Sequence, residues 1–202
     1  QFILKRLQAK QITPAPLATP EKLLRRVYLD ITGLAPPSDV VQAFSEDSSD
    51  EHYQSIVNRL LDSPQYGERW ARFWMDLVRY AESDGYNSDG YRKNAWRYRD
   101  YVIKAFQQDK PYNQFMTEQI AGDEIDPDNL EAQIATGYLR HWIYEYNQRD
   151  AKSQWSIILN DITDVTGDTF LGMGMSCARC HDHKFDPILQ ADYFRLQAFF
   201  SP

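Results

Sequence analysis

Apolar residues recur at helical spacing along nearly the whole of this chain, and stretches alternating with the two-residue period of a strand are almost absent. That pattern points to the all-α class, in which amphipathic helices bury their apolar stripes against one another in a multi-helix, bundle-like domain. With 202 residues the chain is long enough for one such domain with its own core, so the expectation is a single helical domain over residues 1–202.

Local chemistry places the helix boundaries. Phe2 to Lys10 forms a short amphipathic segment, and Pro14 and Pro16 end it. Thr19-Pro20-Glu21 offers an N-cap residue, a proline at the first helical position and an acid in the first turn, while Gly33 offers a stop. Further helices are expected at 38–44, 53–61, 67–81, 96–108, 112–121, 130–142, 154–175 and 191–200. Residues 67–81 carry Trp70, Phe73, Trp74, Leu77 and Val78 over a wide face, which predicts a core position. The stretches 83–93 and 145–152 are polar and read as loops. Asp84 and Asp89 in the first give it a partial likeness to a calcium loop, without the D-x-D-x-D-G spacing.

Charge narrows the class of partner. A net charge of −7 argues against nucleic acid, which calls for a basic face, and gives no support to binding an anionic membrane surface. No apolar run approaches a membrane span, and Gln1-Phe2-Ile3-Leu4-Lys5 lacks the layout of a signal peptide. The end at Phe199-Phe200-Ser201-Pro202 carries no stop signal and reads as part of a longer protein. Aromatic residues make up 14% of the chain, which fits either a ring-rich core or the wall of a flat apolar cofactor site.

The chain has two cysteines, and both stand in Cys177-Ala178-Arg179-Cys180-His181. This is the C-x-x-C-H pattern of covalent haem attachment. Two residues between the thiols let one turn of backbone span the two vinyl groups of a porphyrin edge, and the following histidine is placed to ligate the iron on the proximal side. Other uses stay open. Cys177, Cys180, His181 and His183 are four possible zinc ligands, although zinc sites commonly separate their ligand pairs by a longer loop. A C-x-x-C redox pair is a further option, but it usually follows a strand, and here a helix precedes it. A purely structural role, two buried free cysteines beside a surface histidine, is the least favoured reading.

If iron is bound, His181 is its proximal ligand and the other axial position is open to several candidates. His141, beside Trp142 and Ile143, and Met116, in an aromatic-rich helix, are the distal candidates retained. Each also has an ordinary reading as a packed core residue. His183, Met173 and Met175 lie too near the proximal histidine in sequence, His52 sits in a polar run, and Met75 reads as core. An iron with no distal ligand would favour ligand or peroxide chemistry, and two strong ligands would favour electron transfer. Arg97 and Arg99 are candidates to bind haem propionates, since guanidinium forks match carboxylates. Two apart on a helix, they should diverge, so that one propionate would not engage both.

Several longer stretches carry a resemblance. Residues 24–34 (LRRVYLDITGL), 66–71 (YGERWA), 94–103 (NAWRYRDYVI) and 177–188 (CARCHDHKFDPI) resemble the planctomycete cytochrome domain PSCyt2, DUF1549, and the likeness runs over essentially the whole chain. It implies a middle domain of a large secreted protein, with a cytochrome-like domain before it and a second domain of unknown function after it. It implies one covalent haem c at Cys177, Cys180 and His181, an extracytoplasmic location, and electron exchange with a redox partner protein or neighbouring domains. A haem-dependent oxidoreductase and a zinc-stabilised interaction module remain the alternatives.

Overall fold

The computed structural model describes residues 2–145 and 149–201. Among the described residues there are ten α-helices and no β-strand, as the periodicity requires. The helices fall into two compact units, one running to Gln65 and the other beginning at Tyr66.

The first unit holds α1 (Phe2–Ala9), α2 (Pro20–Thr32), α3 (Ser38–Glu46) and α4 (Asp50–Leu61). α2 starts and stops where its signals stand: Pro20 opens it, and Gly33 at φ 74° closes it with its N–H on the Leu29 carbonyl. A residue with a Cβ would be strained there. α3 and α4 pack on α2, and Leu24, Val27, Phe44, Ile56 and Leu60 form the buried core of this unit.

The second unit contains nearly all of α5 (Pro64–Leu77), whose first two residues precede the boundary, together with α6 (Ala95–Gln107), α7 (Tyr112–Ile125), α8 (Leu130–Ala135), α9 (Ala151–Thr166) and α10 (Gln190–Ala198). Its main core joins Ala71, Trp74 and Val78 to Tyr98, Val102, Phe115, Tyr138 and Phe170. At its centre the Trp74 indole N–H donates to Gln119 Oε1 (3.0 Å), and the Tyr98 hydroxyl donates to the same oxygen (2.6 Å). Three polar groups are thereby buried with partners, which removes the penalty of burying them alone. α7 and α8 approach closely at Gly122, where an added Cβ would stand 2.3 Å from the Ala132 carbonyl oxygen.

Several boundaries depart from the expectation. The helix expected over 67–81 ends at Leu77, and its apolar face is only partly covered: Ala71, Trp74 and Val78 are buried, whereas Trp70, Phe73 and Leu77 are exposed. The helix expected over 130–142 stops at Ala135 and continues as a 3₁₀ turn, Thr136–Arg140. The long helix expected over 154–175 ends at Thr166. A single π-type turn follows at Gly167–Leu171, and Gly172 at φ 62° terminates the run. Of the loop expected at 145–152, residues 146–148 lie outside the described residues, and α9 already begins at Ala151, capped by Asp150 accepting the Ser153 N–H (3.0 Å). The polar loop at 83–93 is pinned by an antiparallel bridge between Ser83 and Tyr91.

Candidate functional site

The C-x-x-C-H motif follows α9, after the π turn, on a 3₁₀ turn spanning Met175–Arg179. A 3₁₀ turn has three residues per repeat, so residues three apart share an edge. One edge carries Met175 and Ala178, both buried against Ile188 and Tyr193. The other carries Cys177 and Cys180, both free thiols and both exposed. The spacing that seats the inner pair in the core therefore turns the two sulfurs outward together. Gly167 makes the seat possible: a Cβ there would meet Met175 Cγ and Sδ at 2.9 Å.

The turn is held on both sides. The Arg179 carbonyl accepts the Gln190 side-chain amide (3.1 Å), and Asp182 Oδ1 accepts the Gln190 backbone N–H (2.8 Å). The His183 N–H donates to the Ile188 carbonyl (2.8 Å), closing the small loop between them. Tyr193, fully buried on α10, directs its hydroxyl toward Asn160 on α9 at 3.4 Å. Arg179 lies 3.7 Å from Asp164, whose carboxyl is pushed up by its burial, against the opposing effects of Tyr193 and Arg179.

His181 is exposed, and its Nδ1 lies 2.8 Å from the Asp182 carbonyl oxygen. A carbonyl can only accept, so Nδ1 is the donor; in the neutral ring this tautomer leaves Nε2 with the lone pair that a metal-binding imidazole needs. The His183 ring is engaged in its own turn. Its Nδ1 is 2.9 Å from the Asp186 N–H and 3.1 Å from the Asp186 carboxylate, and either partner binds the ring into residues 183–186. Among the described residues no three His, Cys, Asp or Glu side chains gather as a metal-holding group. The four ligands of the zinc reading are therefore not assembled, and neither are the acids of the calcium-like loop. There Asp84 pairs with Arg92 (2.6 Å) and Asp89 Oδ1 accepts the Gly85 N–H (2.9 Å).

The chemistry of the donor set fits a covalently held haem: two unpaired thiols on one accessible edge, and a neighbouring imidazole with Nε2 free to ligate. The distal candidates occupy different places. His141 is buried, with its ring edge-on to Tyr98 and Tyr80 and its Nδ1–H donating to the Val78 carbonyl (3.2 Å). Burial holds its pKa down at about 4, with Arg79 and Arg92 adding to the effect and the Val78 carbonyl opposing it. Met116 is partly buried on α7 and lines an apolar cleft of about 830 Å³ with Phe170, Leu171, Leu196 and Phe199. Leu196 also packs against the cluster that seats the motif.

Arg97 and Arg99 do point to different partners. Arg99 bonds Glu82 (2.7 Å) and Asp100 (3.2 Å). Arg97 lies over the Trp96 ring and on the wall of a second cavity, of about 500 Å³. That cavity also collects Arg92, Lys93 and Arg140, which were not singled out from the sequence. The visible signal is the basic run through Arg92, Lys93 and Arg97 in an otherwise acidic chain; Arg140 joins it only through folding.

Across residues 1–202 the chain matches the model of a family described as PSCyt2, protein of unknown function (DUF1549). Comparison with curated proteins and with solved structures gives no match.

Proposed function

The chain belongs to the PSCyt2 family, DUF1549, and we propose that it is a c-type cytochrome domain that passes single electrons to a partner protein or to neighbouring domains outside the cytoplasm. The observation that carries this reading is the shared outward edge of Cys177 and Cys180 beside an imidazole whose Nε2 is available. Cys177 and Cys180 would form the thioether links, and His181 would be the proximal ligand. The Asp182 carbonyl fixes the tautomer and orientation of that ring. Met175 and Ala178 anchor the turn so that the thiols hold their places. When bound, haem supplies a one-electron couple whose potential follows its axial ligands and surroundings.

If a bound iron takes a distal ligand from this chain, Met116 is the candidate this reading favours over His141. Leu196 links the Met116 cleft to the motif cluster, whereas the His141 ring is enclosed between Tyr80 and Tyr98 and its Nδ1 is bonded to Val78. Thioether attachment implies maturation outside the cytoplasm, and no helix among the described residues is long and apolar enough to cross a membrane.

A visible spectrum of protein matured with the haem-attachment machinery tests the proposal. Sharp reduced α and β bands that carbon monoxide leaves unchanged are expected for a low-spin iron with two axial ligands. A high-spin spectrum that shifts with carbon monoxide would replace electron transfer by chemistry at an open iron. Absence of a Soret band, with zinc found by elemental analysis, would leave the interaction module.

A further inference from the structure

The cavity at the start of α6 has a charge opposite to that of the molecule. The chain carries −7 overall, yet Arg92, Lys93, Arg97 and Arg140 line this one space of about 500 Å³ with Asp84 as the acid among them. Asp84 is already paired with Arg92, leaving three cations uncompensated by the lining. Such a concentration of like charge is unfavourable unless something of opposite sign answers it.

Two local features repeat the imbalance. α6 begins at an N-cap, Asn94, that makes no side-chain capping bond, and its first turn holds no acid. Instead Arg97 occupies that turn, the wrong sign for the positive end of a helix. The second feature is a donor with nothing to bond. Arg92 is mostly buried, its Nε engaged by Asp84 and its Nη2 by the Trp142 carbonyl (2.6 Å), but its buried Nη1 has no hydrogen-bond partner among the described residues. A buried guanidinium N–H without an acceptor is costly and rare in folded proteins. An oxyanion among these cations would answer their charge and complement the helix end.

We infer that this cavity is a binding site for a small oxyanion, a carboxylate or phosphate compound, held by Arg92, Arg97, Arg140 and Lys93. The space exceeds what one bare ion needs and lies in the range of small-molecule sites. Its wall includes the Tyr98 ring and the His141 imidazole, whose Nδ1–H is already committed to Val78. None of its residues belongs to the Cys177–His181 motif; Arg97 and His141, considered above for a haem propionate and the distal iron position, are assigned here to the anion cavity instead.

Calorimetric titration of the full chain with inorganic phosphate and with citrate, in low-chloride buffer, is the test. At least one of them should bind saturably, and the stronger of the two assigns the phosphate or the carboxylate class. The double variant Arg97→Gln with Arg140→Gln removes two charge-assisted contacts at exposed positions and should weaken binding by about tenfold or more. Arg59→Gln, an exposed cation on α4, should leave the affinity unchanged. Should the double variant lose its helical circular dichroism, Lys93→Gln with Arg97→Gln carries the same expectation. No saturable binding of either anion would overturn the assignment. So would undiminished affinity in the folded double variant, or an equal loss in Arg59→Gln.

Discussion

Arg79 donates through Nε to Asp161 Oδ2 at 2.7 Å, and its Nη2 engages the same oxygen, across 82 positions of sequence. The pair joins the residue just beyond α5 to the middle of α9, the helix that leads into the motif. Arg79 holds a left-handed backbone conformation, φ 53°, which turns the chain at the end of α5. Both side chains are largely shielded, at 20% and 33% exposure, so the contact is less screened than a surface pair. Asp161→Asn leaves the guanidinium with a weaker acceptor and should cost about 1–3 kcal/mol in urea unfolding. An unchanged midpoint and slope would show that the pair contributes nothing to stability.

His141 should make the fold sensitive to mild acid. Its folded pKa is lowered by burial from 6.5 to about 4. Between those values the unfolded chain binds a proton that the folded chain does not, so stability falls as pH drops through the window and is unaffected by this group above it. The full effect is at most about 3 kcal/mol. His141→Asn, which keeps a donor toward the Val78 carbonyl, removes the titration. Unfolding measured at about pH 7 and about pH 4.5 should show a smaller acid loss in the variant. Equal losses in the two proteins would contradict the buried neutral state of His141.

At Gly122 the backbone of α7 comes close to that of α8. A Cβ there would meet the Ala132 carbonyl oxygen at 2.3 Å and its carbon at 2.8 Å, and backbone cannot swing away as a flexible side chain can. Gly122→Ala normally favours a helix, yet here it should destabilise by about 1–3 kcal/mol through overpacking. Thermal unfolding checks the sign: a variant as stable as the parent, or more stable, would mean that the two segments are less tightly apposed.

Much of the helical layout was legible because the punctuation was local. Pro20 and Gly33 act within a few residues, and α2 stands where those residues place it, while α4 begins three residues before the expected start, capped by Ser49. The ends that moved were set by tertiary contacts. Residues 154–175 are periodic throughout, but the chain turns at Gly172, after Gly167 has made room for Met175 to dock as the inner residue of the motif turn. α5 showed the reverse: Trp70, Phe73 and Leu77 read as core, yet only one face of that helix is covered. The Cys177–His181 pattern is readable because it lies in five consecutive residues. What periodicity could not show was that a 3₁₀ turn, by repeating every three residues, brings both thiols to one edge. The basic cavity was hidden for the opposite reason, because Arg140 and Arg92 are brought together only by folding.

The central claim concerns Cys177, Cys180 and His181, and intact-mass spectrometry addresses it most directly. Protein produced with the haem-attachment machinery and stripped of loosely held ligand by acid-acetone should retain the mass of the polypeptide plus one haem. The variant Cys177→Ala with Cys180→Ala should show the polypeptide alone. The bare polypeptide mass from the properly matured parent protein would contradict the account.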